Sequence, residues 1–198
     1  PRTALLIREL FYNLFMFEDH LLHFFFLGGP DFIVGPTAPK AERNILGVIG
    51  KVGLETGKQV IEIRKRCREL MSLIGGKPIH PVLGLPGGVA KQIDADMAAK
   101  SKTFAADAVK FAQFTLQAFS DIVLKNKAYV DLILSDAYRL EVGDMGLCDD
   151  NDRVNFYDGK VRVRDAGGRV LGKYAPHEYL DNVAEHVEPY SYLKYPFL

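Results

Sequence analysis

The sequence is short of cysteine, of net charge and of unbroken apolar runs, and each shortage excludes something. Its two cysteines, Cys67 and Cys148, stand 81 positions apart with no partner spacing. That argues against a disulfide framework and suits a reducing, cytoplasmic compartment. The 25 basic residues balance the 25 acidic ones and are not gathered into one block. Such a chain offers no track for nucleic acid and no patch for an anionic membrane surface. Its most apolar run, Phe11 to Leu27, is interrupted by Asn13, Glu18, Asp19, His20 and His23. A lipid-facing helix rarely tolerates so many polar groups at its centre, so no membrane span is expected. No cleavable signal pattern, internal repeat or low-complexity stretch is present. The opening "PRTALL" already lies inside a helical pattern, as in a piece of something longer.

What is there reads as a mainly α (α+β) protein: a long-helix bundle with a small antiparallel β-meander near residues 145–174. The 198 residues leave room for a substantial core. Residues 4–27 read as one helix, apolar on nearly every face and therefore enclosed by protein, stopped by Gly28, Gly29 and Pro30. Thr37 is the expected N-cap of the next helix. Over 40–74 a stripe of Ile45, Ile49, Val52, Thr56, Val60, Ile63, Cys67, Leu70 and Ile74 advances by threes and fours, predicting one long helix. Cys67 reads as a small hydrophobe facing the core, and "RKRCRE" around it as the solvated face. "GGKPIHPVLGLPGG" (75–88) reads as a fixed-shape loop. Asp94 or Asp96 opens a helix to about Lys125, and a shorter one covers 127–137. In "RVNFYDGKVRVRDAGGRVLGKY" (153–174), alternation around Asp158-Gly159 and Gly167-Gly168 predicts three strands. A short helix in 175–187 and an aromatic tail follow. Residues 1–140 are thus expected to form the helical core, with 141–198 packed on the same body.

Chemistry centres on "FEDHLLHFFF". His20 and His23, three apart, share a helix face as a metal pair could, but no further ligands lie nearby. Asp19, a carboxylate in apolar company, needs a cation or several donors; an ordinary buried ion pair is the plain alternative. The glycine-rich loop is no phosphate cradle, because no strand precedes it and Lys77 is misplaced. His80, between Ile79 and Pro81, is a stiffly held imidazole suited to a fixed hydrogen bond.

Three stretches in order, "IRELFYNLFMFEDHLLHFFFLGGPDF", "GGKPIHPVLGLPGGV" and "YLDNVAEHVEPYSYLKYPF", resemble the large, catalytic subunit of nickel–iron hydrogenases. They look most like the soluble type related to the methyl-viologen-reducing enzymes. The resemblance spans essentially the whole chain. Those enzymes hold nickel and iron with four thiolates from two Cys-x-x-Cys pairs, one near each terminus, and this sequence has neither pair. The resemblance therefore implies the middle of a large subunit, with no metal ligand among these residues and no metal or activity in the chain alone. Soft thiolates are what such a metal pair requires.

What the resemblance carries over is the surroundings of the metals. Asp19 matches the aspartate of the family's "DHLxHF" motif, in a canopy above the nickel–iron pair and facing an arginine from the C-terminal part. His20 and His23 match its histidine neighbours. His80 and Lys77 match a loop near the iron–sulfur cluster of the small subunit, which makes them cluster-side or interface residues. The implied partners are that small subunit, with further electron-transfer subunits beyond it. The whole enzyme would split H2 heterolytically and pass electrons through the partner's clusters. A metal-free relative, such as the quinone-site subunit of respiratory complex I, and a purely structural helical module are the alternatives. Apolar helices left bare are expected to make the chain self-associate.

Overall fold

The computed structural model describes residues 1–198, the side chain of Tyr138 excepted. The chain divides into Pro1–Tyr138, which is helical, and Arg139–Leu198, whose regular structure is chiefly antiparallel strand. The fold is α+β with small antiparallel sheets, as the sequence predicts.

In the first unit, α1 (Arg2–Leu22) does not stop at the Gly-Gly-Pro. It widens into π-type turns over His23–Gly28 and Pro30–Val34, and Gly29 keeps helical angles (φ −54°, ψ −44°). A proline inside an α-helix collides with the carbonyl four residues back; a wider turn, bonded five residues back, gives the ring room. The helical path ends at Gly35 instead, at φ +122°, which glycine adopts without a Cβ penalty. Nor is α1 enclosed on every side. Ala4, Ile7, Phe11, Leu14, Leu21 and Phe25 are buried, while Leu5, Leu6, Phe15 and Leu27 remain exposed.

The helix expected over 40–74 is two helices. α2 (Ile45–Val52) starts at Asn44, whose Oδ1 accepts from the Leu46 and Gly47 amides, so Thr37 is not the cap. α3 (Leu54–Gly75) follows after Gly53, at φ +88°. Across the break Ile49 packs against Gly57, where an added Cβ would lie 2.9 Å from the isoleucine side chain. From Val60 onward the sequence stripe holds. Val60, Ile63, Cys67, Leu70 and Ile74 form one core with the buried face of α1. α4 (Ala95–Phe119), capped by Asp94 on the Met97 amide at 2.8 Å, adds Phe104 and Ala108. It winds on through Ser120–Leu124, and α5 (Lys127–Ile133) starts anew at an extended Asn126. The 75–88 loop is irregular as expected, except for a minimal hairpin of β1 (Gly84–Leu85) and β2 (Gly88–Val89).

In the second unit, β3 (Asp144–Cys148), β4 (Lys160–Arg164) and β5 (Val170–Tyr174) make an antiparallel meander in that order. Its first strand lies upstream of the predicted one. Asp149 Oδ1 accepts the Asn151 and Arg153 amides, and Asn155 Oδ1 those of Tyr157 and Asp158. These side-chain bonds draw the segment into turns in place of a ladder. The helix expected over 175–187 shrinks to α6 (Tyr179–Asn182). Beyond it β6 (Ala184–Val187) pairs with β7 (Lys194–Phe197), so the aromatic tail is one arm of a hairpin.

Candidate functional site

The spacing 19, 20, 23 near the end of α1 places Asp19, His20 and His23 together on its solvent side. With Phe17, Leu21 and Phe24 of the same stretch, and Ala112, Thr115 and Leu116 of α4, they line a groove of about 560 Å³. All three polar residues are exposed, so the costly burial that their apolar company suggested does not arise. The ring Nδ1 of His20 lies 2.7 Å from Met16 O. A carbonyl can only accept, so Nδ1 carries a proton and the neutral ring keeps its free lone pair on Nε2. No hydrogen bond or ion pair reaches the Asp19 carboxylate among the described residues.

The neighbouring carboxylate behaves differently. Glu18 accepts from Arg64 Nη2 at 2.6 Å and Nε at 3.1 Å, with both side chains 14% exposed. The guanidinium also lies 4.7 Å over the Phe26 ring. Arg66 pairs with Asp107 of α4 at 2.8 Å. The run around Cys67 is therefore not simply a solvated face, since two of its arginines tie α3 to the flanking helices.

The donors present do not fit a thiolate-held metal pair. Cys67 is fully buried and its thiol donates to Leu14 O at 3.2 Å. Burial, reinforced by the Glu18 charge and opposed by Arg64, pushes its pKa up to about 12, so it stays a thiol and not a ligand. Cys148 belongs to the second unit and is buried there. Among the described residues no three His, Cys, Asp or Glu side chains gather into a metal site. Lys77 and His80 do not line the groove. They sit exposed on the loop after α3, where His80 holds φ +51°.

No family model matches the chain. It is 43% identical over 195 residues to an iron–sulfur subunit of the F420-non-reducing hydrogenase of Archaeoglobus profundus, covering 98% of this chain and 40% of that protein. To a subunit of the vhu F420-non-reducing hydrogenase of Methanocaldococcus jannaschii it is 36% identical, over all of this chain and 46% of that one. To the beta subunit of the NAD-reducing hydrogenase HoxS of Cupriavidus necator it is 32% identical, over 99% and 40%. Among solved structures, the NAD+-reducing [NiFe]-hydrogenase in its H2-reduced state superposes with a TM-score of 0.87 at 27% identity, over the whole of this chain and 43% of that one. The [NiFeSe] hydrogenase of D. vulgaris Hildenborough shares the fold at a TM-score of 0.64 and 19% identity. In sequence and in fold the chain is thus similar to hydrogenase subunits along its length. More particularly, the chain is similar to part of nickel–iron hydrogenase large subunits, and it spans 40–46% of the length of these curated relatives. None of its helices is long and apolar enough to cross a membrane, among the described residues.

Proposed function

We propose that this chain is the helical housing of a cytoplasmic nickel–iron hydrogenase's bimetallic centre, the thiolates being supplied from outside residues 1–198. Asp19, His20 and His23 form a polar lid over that centre. The loop with Lys77 and His80 faces an iron–sulfur small subunit, through which H2-derived electrons pass to further electron-transfer subunits. The observation that carries the reading is the open groove where Asp19 lies unpaired beside two histidines, in a fold that superposes on a [NiFe]-hydrogenase along its whole length. A carboxylate left without a protein partner there is open to a cation brought by another part of the protein. His20, oriented through its Nδ1–H, can fix the position of whatever its Nε2 bonds.

The test is Asp19→Asn in the enzyme assembled with its partner subunits. Turnover is expected to fall about 10- to 100-fold, in line with losses of groups that orient metal ligands, while nickel per protein by elemental analysis stays unchanged. Loss of nickel would make Asp19 a structural residue, and unchanged turnover would remove it from the lid.

A further inference from the structure

Arg8 takes no part in the groove, yet it is drawn into the protein. Its Nη2 donates to the backbone carbonyls of Leu85, at 2.7 Å, and of Gly88, one on each strand of the β1–β2 hairpin. Its Nε is buried without a hydrogen-bond partner. Desolvating an N–H of a charged group is unfavourable, so such an arrangement calls for a compensating role. Three residues along α1, on the same face, Phe11 holds the other end of the loop. A Cβ added at Gly75 would fall 2.6 Å from the Phe11 ring and 3.0 Å from Pro81. The segment is also closed from within: the Val82 N–H donates to Gly75 O at 3.1 Å and the Ala90 N–H to Leu83 O at 2.8 Å. Lys91 Nζ adds a bond to Leu73 O at 3.3 Å. His80 keeps φ +51°, a left-handed backbone that a residue other than glycine holds when its surroundings fix it.

We propose that Arg8 is a positioning residue, which with Phe11 staples the 76–90 loop to α1 so that Lys77 and His80 meet a partner protein in one preset arrangement. That this loop faces a partner rests on the function proposed above; the staple does not. Because Asp19 lies on the same helix, about 16 Å further along it at 1.5 Å per residue, the staple also sets the loop's register against the groove.

The test compares amide hydrogen exchange and His80 ring NMR in the full chain and in Arg8→Ala, Arg8→Lys and Gly75→Ala. Arg8→Ala should speed exchange of the Val82 and Ala90 amides about tenfold or more and move the His80 ring signals. The amides of Val60–Ile74 and the His20 and His23 signals should stay in place. Arg8→Lys should restore part of the protection, and Gly75→Ala, by crowding Phe11 and Pro81, should loosen the same loop from its other end. Exchange accelerated uniformly along α1 and α3 would make Arg8 an ordinary stabilising residue and overturn the proposal. An unchanged loop and an unchanged His80 ring in Arg8→Ala would overturn it too. Neither readout involves turnover or metal, so failure here is distinguishable from failure of the Asp19→Asn test.

Discussion

A single thiol shows how position decides chemistry. Burial holds Cys67 protonated to about pH 12, whereas an exposed thiol of the unfolded chain loses its proton near pH 9.0. Between those values the unfolded state binds fewer protons than the folded one, so stability falls as pH rises from about 9 toward 12 and is untouched by this group below 9. The slope from one group is at most about 1.4 kcal/mol per pH unit. Denaturant unfolding as a function of pH should show that decline in the wild type and a shallower one in Cys67→Ala; parallel profiles would remove the thiol as its cause. The inward place of Cys67 was legible, because it falls on a period-3.6 stripe. So was the shared face of His20 and His23, because residues three apart are neighbours on a helix. The Glu18–Arg64 pair was not. Its members are 46 residues apart, and no local pattern tells a charge at the edge of an apolar stripe that its partner stands on another helix.

Elements were legible where one packing face dominates and illegible where a backbone joint or side-chain capping intervenes. The stripe of α3, and an aspartate opening α4 at 94 or 96, follow from spacing and residue type alone. The joint at Gly53 does not, because a lone glycine inside an apolar period reads as tolerated. The strand Asp144–Cys148 has little strand propensity of its own; its partner β4 makes it a strand. Cations on β4 and β5 shape the pH response of the carboxyls in and just after β3. Arg164 on Asp144, Lys160 on Asp150 and Lys173 on Asp152 hold these exposed carboxyls below their ordinary range. Two glycines of the α2–α3 joint separate backbone from packing. Both have open space where a Cβ would stand, but Gly53 is at φ +88° and Gly50 lies inside α2. Gly53→Ala should therefore destabilise by about 1–3 kcal/mol. Gly50→Ala should stabilise by about 0.5–1 kcal/mol. Equal effects in chemical denaturation would show that φ is not what keeps α2 and α3 apart.

At the scale of the molecule, the surface is what the sequence told least well. An apolar run says that a helix needs cover, but not which chain provides it. On the first unit Leu6, Phe15, Leu27, Leu116 and Leu124 stand between 42% and 69% exposed, although large apolar side chains usually find cover in a stable soluble protein. The relatives, of which this chain spans less than half, have more protein to lay over such faces. If those faces are the seats of further large-subunit segments, the isolated chain has only copies of itself to cover them. It should then elute and scatter as dimers or larger species at micromolar concentration, with association strengthening on warming from the cold, as apolar burial does. A charge placed on one such face, as in Leu116→Glu, should shift the distribution toward monomer without changing helix content by circular dichroism. Light scattering that reports a monomer for the unaltered chain across that range would mean that these faces are satisfied by water, and that the helical body is complete as it stands.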